Sequence, residues 1–99
     1  MPIVLYTRRG CHLCELMKAE IERSSRRGEY QLSEVDIDSD AQLVQRWGHS
    51  IPVLEIGGQI AFKSKLTPAD FERKFERLAE EWRHARALGR ANGEAKERT

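Results

Sequence analysis

Cysteine is nearly absent from this 99-residue chain, which has two, at positions 11 and 14. One pair cannot make the several bridges of a disulfide-stapled fold, and it is half of a tetrahedral metal site. His49 and His84 do not supply the closely spaced second pair that would complete a zinc finger. An excess of one charge is missing too, since 17 Lys and Arg against 16 Asp and Glu leave a net charge of +1. That balance argues against a general nucleic-acid binder, which would carry a basic face. No apolar run approaches membrane-spanning length. Strand-like residues begin at Pro2-Ile3, leaving no room for a charged region, an apolar stretch and a cleavage site. The expectation is a cytoplasmic chain with neither nucleic-acid nor membrane partners. In that compartment a lone cysteine pair points to catalysis or metal binding ahead of a structural staple.

What is present is concentrated around that pair. Arg8-Arg9-Gly10-Cys11-His12-Leu13-Cys14-Glu15 lies directly after the apolar run Ile3-Val4-Leu5-Tyr6 and directly before a helical pattern. A helix N-terminus has unpaired N–H groups and a partial positive charge that stabilise a thiolate. The three-residue spacing lets the second sulfur reach the first, so a mixed disulfide on Cys11 can be resolved within the chain.

The remaining pattern predicts one domain over residues 1–88 and a disordered tail over 89–99, where small and charged residues offer little to bury. Ile3 to Thr7 reads as a buried strand. From Cys11 to about Arg26 the pattern is helical, with Leu13, Met17 and Ile21 at four-residue steps and Cys14 on the adjoining row. Gly28 is expected to close that helix as a left-handed cap. Tyr30 to Ile37 is a second strand, and Asp38 and Ser39 are candidate caps for a short helix through Trp47, ended at Gly48. Val53 to Ile56 and Gln59 to Phe62 form a hairpin around Gly57-Gly58. Thr67-Pro68-Ala69-Asp70 opens a last helix carrying Phe71, Phe75, Leu78, Trp82 and Ala85, which is expected to fray near Gly89. The order is β-α-β-α-β-β-α. Helical connections between strands one and two, and before strand three, favour parallel pairing of both with strand one. The fold class is α/β, a four-stranded mixed sheet flanked by three helices.

The strand ending in Arg8, the Cys11-His12-Leu13-Cys14 motif, Ile51-Pro52 before strand three, and the hairpin and final helix in that order resemble the thioredoxin superfamily. They are more closely similar to the glutaredoxins, in particular to small glutaredoxin-like proteins with a Cys-His-Leu-Cys-type motif. The resemblance covers roughly residues 3 to 85 and implies a thioredoxin-like fold. It also implies a cis bond before Pro52 and a backbone at Ile51 that pairs with the bound disulfide substrate. Where glutaredoxins carry a Gly-Gly-x-(Ser/Asn)-Asp stretch for glutathione, this chain has Ala61-Phe62-Lys63-Ser64-Lys65. Gly10 stands where thioredoxins place tryptophan.

The expected activity is thiol–disulfide exchange on protein or small-molecule disulfides, with Cys11 as the nucleophile and Cys14 as the resolving thiol. Arg8 is expected beside the substrate, and Arg8 and Arg9, turned inward, would favour the Cys11 thiolate. His12 would do the same when protonated, and Glu15, four residues after Cys11, would oppose it. Lys63-Ser64-Lys65 could receive an acidic substrate group or be a solvated strand end. No cofactor is required, and glutathione stays open as a co-substrate. The expected partners are a disulfide-bearing protein or a low-molecular-weight thiol, and a reducing system. The expected state is a monomer, with a dimer through the last helix as the variant. The competing classes are metal or iron–sulfur binding by the same cysteines and a redox-sensitive binding module without turnover.

Overall fold

Alternation along the first strand sets the layers of the structure, a computed structural model that describes residues 1–92. Strand β1 (Pro2–Thr7) turns Ile3 and Leu5 to one face of the sheet and Val4 and Tyr6 to the other. It is central, in a four-stranded sheet of order β2-β1-β3-β4. The others are β2 (Gln31–Asp36), β3 (Val53–Ile56) and β4 (Gln59–Lys63). Helices α1 (His12–Glu22) and α3 (Pro68–Asn92) belong to the Ile3/Leu5 face, where Met17, Ile21, Phe71, Phe75 and Leu78 join Leu54 and Ile56 in the main core. Helix α2 (Ala41–Trp47) lies on the opposite face, where Trp47 packs with Ile37, Val53 and Tyr6. This is a thioredoxin-like fold.

β1 and β2 pair in parallel, with Tyr6 opposite Val35. β3 pairs with β1 antiparallel, Leu5 opposite Leu54 and Tyr6 opposite Val53, against the expectation of a parallel pair. The reason is length. Seven helical residues of α2 span roughly 10 Å, about half of a six-residue strand. The chain therefore does not return to the far end of the sheet, and β3 starts from the end at which β1 and β2 finish. The β3–β4 hairpin has both Gly57 (φ +57°) and Gly58 (φ +88°) in the left-handed region, the requirement of the tight turn that glycine pairs satisfy. A bulge between Leu54 and Glu55 shifts the β4 register by one residue.

Four local expectations are corrected. Helix α1 closes at Arg23, and Gly28 sits in a short 3₁₀ turn (Arg27–Glu29) without positive φ. The cap of α2 is Asp40, whose carboxylate accepts the Gln42 N–H at 2.8 Å, so Asp38 and Ser39 fall in a preceding 3₁₀ turn that also takes Ile37 from the strand. Leu13 is 49 % exposed; the buried row of α1 is Cys14, Met17 and Ile21. Helix α3 runs past Gly89 to Asn92, and positions 93–99 of the expected tail lie outside the described residues. At its start Thr67 caps as expected, its hydroxyl accepting the Asp70 N–H at 3.2 Å.

Candidate active site

Beyond Thr7 the chain reverses within four residues. The Cys11 N–H donates to the Arg8 carbonyl at 3.1 Å, and Gly10 has φ +80°, as the third residue of a type II turn requires. A Cβ on Gly10 would meet nothing within 4 Å, so the need for glycine is conformational and not one of space. The turn leaves Cys11 in extended backbone as the N-cap of α1, where its Sγ accepts the Cys14 N–H at 3.1 Å. Cys11 and Cys14 are joined in a disulfide with their Cα atoms 5.2 Å apart, inside the bridging range. Cys11 is partly exposed, whereas Cys14 keeps 2 % of its surface.

The charges expected around the sulfur are placed as follows. Arg8 donates from Nε to both carboxylate oxygens of Asp38 at 3.1 Å and from Nη2 at 2.9 Å. Its positive charge is thus balanced locally by a carboxylate. Arg9, His12 and Glu15 are exposed, and none of them is in a salt bridge among the described residues.

The second loop arrives from α2. Both Ser50 and Ile51 donate their N–H groups to the Trp47 carbonyl, at 2.8 and 3.1 Å. The Ile51–Pro52 bond is cis. Pro52 is buried, and its carbonyl accepts the Ser64 N–H at 2.7 Å, joining this loop to the end of β4. With Val53 opposite Tyr6, Pro52 lies at the same end of the sheet as the turn that carries Cys11. Behind the loop, Trp47 has the Arg46 guanidinium 4.7 Å and the Lys63 ammonium 5.4 Å from its ring centroid. Burial, then the neighbouring Glu55 carboxylate, raises the Tyr6 hydroxyl above its ordinary value, and this hydroxyl donates to Glu55 Oε1 at 3.1 Å.

A family model described as a glutaredoxin-like domain (DUF836) matches residues 2–76. The chain belongs to the glutaredoxin-like domain family. No curated protein matches it. Among solved structures, protein XcR50 from X. campestris is similar at 28 % identity and a TM-score of 0.64, covering 76 % of this chain and 96 % of its own. A malarial protein, at 15 % identity and a TM-score of 0.52 over 78 % of this chain and 94 % of its own, shares the fold.

In this glutaredoxin-like chain three residues near the site have placements that the sequence reading did not give them. Asp38 takes the Arg8 guanidinium, which needed the β1–β2 register to be seen. Ser64 is the one non-glycine residue with positive φ (+74°) among the described residues, and the Lys65 N–H bonds to the Lys63 carbonyl around it at 2.8 Å, a three-residue γ-turn. Leu16 is 50 % exposed. Its signal was present in sequence, because α1 carries more apolar rows than one buried face can use. Leu13, Leu16, Met17 and Glu20 of α1 face Ser64, Lys65 and Leu66 across a cleft of about 210 Å³. His49 and His84 are exposed, and no three His, Cys, Asp or Glu side chains gather as metal ligands among the described residues. No helix there is long and apolar enough to cross a membrane.

Proposed function

We propose that this chain is a dithiol–disulfide oxidoreductase acting on polypeptide disulfides. The observation that carries the reading is the unequal pair at the start of α1. Cys11 is partly exposed and its sulfur accepts a backbone N–H at 3.1 Å, whereas its partner Cys14 is buried. In the reduced protein a Cys11 thiolate would keep that donor and the positive end of the helix.

Cys11 Sγ⁻ attacks one sulfur of the substrate disulfide. A Cys11–substrate S–S bond forms as the substrate bond breaks, and the first substrate thiolate leaves and takes up a proton. Cys14, having lost its proton, then attacks Cys11 Sγ. The Cys11–Cys14 disulfide forms, the second substrate thiolate is released, and two electrons have passed to the substrate. A dithiol, or two equivalents of a monothiol, reverses these steps on the protein and restores the pair. The reducing cytoplasm is the compartment that suits such regeneration. The Ile51 N–H is engaged by the Trp47 carbonyl, so a substrate strand pairing at Ile51-Pro52 would donate its N–H to the Ile51 carbonyl. The pairing of Arg8 with Asp38 favours a role in shaping the turn over a direct grip on substrate.

Substitution tests this. Cys11→Ser is expected to abolish exchange with a disulfide-bonded peptide, and Cys14→Ser to accumulate a protein–peptide mixed disulfide, read by intact-mass spectrometry. Turnover by the Cys11→Ser protein at the unmodified rate would defeat the mechanism.

A further inference from the structure

Four large apolar side chains are exposed among the described residues: Leu13, Leu16, Ile60 and Leu88. Two of them, at 49 % and 50 % exposure, line one cleft. Single exposed leucines are ordinary on a protein surface, but two on one concavity beside a reactive sulfur are not scattered. Leu13 lies between the two cysteines, and Leu16 is one helical turn further on the same side. Met17 closes the cleft on the α1 side, and Leu66 stands opposite.

The far wall is held in an unusual conformation. Ser64, at φ +74°, puts an L residue where a Cβ is penalised, in a γ-turn that is uncommon because it is strained. The turn is fixed by the Ser64 N–H on the Pro52 carbonyl. Strain of this kind persists where surrounding contacts over-determine it, and it gathers at sites that bind. The walls of the cleft are thus tied to both halves of the exchange site, Leu13 by its place between the cysteines and Ser64 by its hydrogen bond to Pro52. Its volume of about 210 Å³ accommodates one large aliphatic or aromatic side chain. Charge narrows the occupant further. Glu20 on the cleft is paired with Arg23, and Lys65 on the cleft, Arg9 and Glu15 are in no salt bridge among the described residues; two such cations against one carboxylate favour an acidic segment over a basic one.

We infer that this cleft seats an apolar side chain flanking the reacting cysteine of an acidic polypeptide, and that Leu16 is a specificity-determining residue for it. The inference rests on the oxidoreductase reading and adds the substrate class. A peptide held covalently on Cys11 needs little further reach to place its neighbouring side chain between Leu16 and Leu66. Leu16 takes no part in the sulfur chemistry, and a polar replacement would alter the wall without touching the cysteines.

The test is single-turnover exchange between the reduced full-length protein and two disulfide-bonded glutamate-containing peptides. One has phenylalanine beside the cysteine and the other has serine. The native protein is expected to react about tenfold faster with the phenylalanine peptide, a preference of the size one buried apolar group supplies. Leu16→Gln is expected to remove that preference while leaving the serine-peptide rate within about twofold, and Leu16→Met to restore it. Equal rates of the native protein on both peptides would overturn the inference while leaving the oxidoreductase reading intact. Equal slowing of both peptides by Leu16→Gln would do the same. No exchange with either peptide would remove the oxidoreductase reading, and the inference with it.

Discussion

At the scale of single residues, the chemistry depends on backbone conformation as much as on side-chain identity. Gly10 lets the chain turn so that a cysteine occupies a position more often held by Ser, Thr, Asp or Asn, and the cap hydrogen bond falls on sulfur. Ser64 is the opposite case, a side chain kept where glycine would be easier. Ser64→Gly is expected to raise stability by about 0.5–1 kcal/mol, as relief of the positive-φ penalty exceeds the added freedom of the unfolded chain. Urea unfolding midpoints at equal m-value measure it, and a lower midpoint for the variant would show that the Ser64 conformation is unstrained. The cysteine pair was legible because its spacing and its position between a strand and a helix are local properties. Asp38 was not, because its meeting with Arg8 depends on two strands lying side by side, and nothing local announces that register.

At the scale of elements, helices α1 and α3 are strapped together by charge as well as by the apolar core. Arg26, just after α1, forms ion pairs with Glu72 at 2.9 Å and with Glu76, and its guanidinium lies 5.5 Å from the Phe75 ring centroid. Ser24 adds a hydroxyl donor to Glu72 at 2.9 Å. The Arg26 hydrogen bond above all, with help from Ser24, holds the Glu72 carboxyl below its ordinary value, while Glu72 and Glu76 keep Arg26 charged beyond its own ordinary range. A carboxylate with a depressed folded-state value contributes stability above its unfolded value and loses it as pH falls through the folded one. Unfolding midpoints of the native protein and Glu72→Gln are therefore expected to differ at pH 7. They should converge below the ordinary glutamate value of 4.5. A difference that is constant from pH 7 to pH 3 would assign Glu72 a steric role only. The helices themselves were readable from apolar periodicity, with Phe71, Phe75 and Leu78 buried as their spacing implies. Their ends were less so, because Gly28 and Asp40 compete with several neighbours that can cap or turn equally well.

For the whole molecule, the decisive event is the direction of β3. Element order could be read from the sequence, but pairing direction depended on whether α2 is long enough to recross the sheet, and its seven residues are not. As a result, the Arg8–Cys11 turn, the Ile51-Pro52 loop and the Ser64 turn gather at one end. The Gly57-Gly58 hairpin lies at the other, tied to the first strand by the Gly57 N–H on the Pro2 carbonyl at 2.9 Å. Gly58 is exposed, and a Cβ there would meet nothing within 4 Å, whereas Gly57 is crowded by Met1 and Trp82. A short flexible insertion after Gly58 is expected to leave the Cys11–Cys14 midpoint potential unchanged, since lengthening a surface loop has a small entropic cost. Redox titration in glutathione buffers checks this, and a shifted potential would show that the two ends are coupled.

That polarity bears on how such a chain can diversify. On the proposed activity, substitutions at the three gathered turns would alter what is recognised, while the hairpin end would accept length, tags or fused modules under separate selection. A short helix that fails to cross its sheet thus divides the surface into a conservative pole and a permissive one.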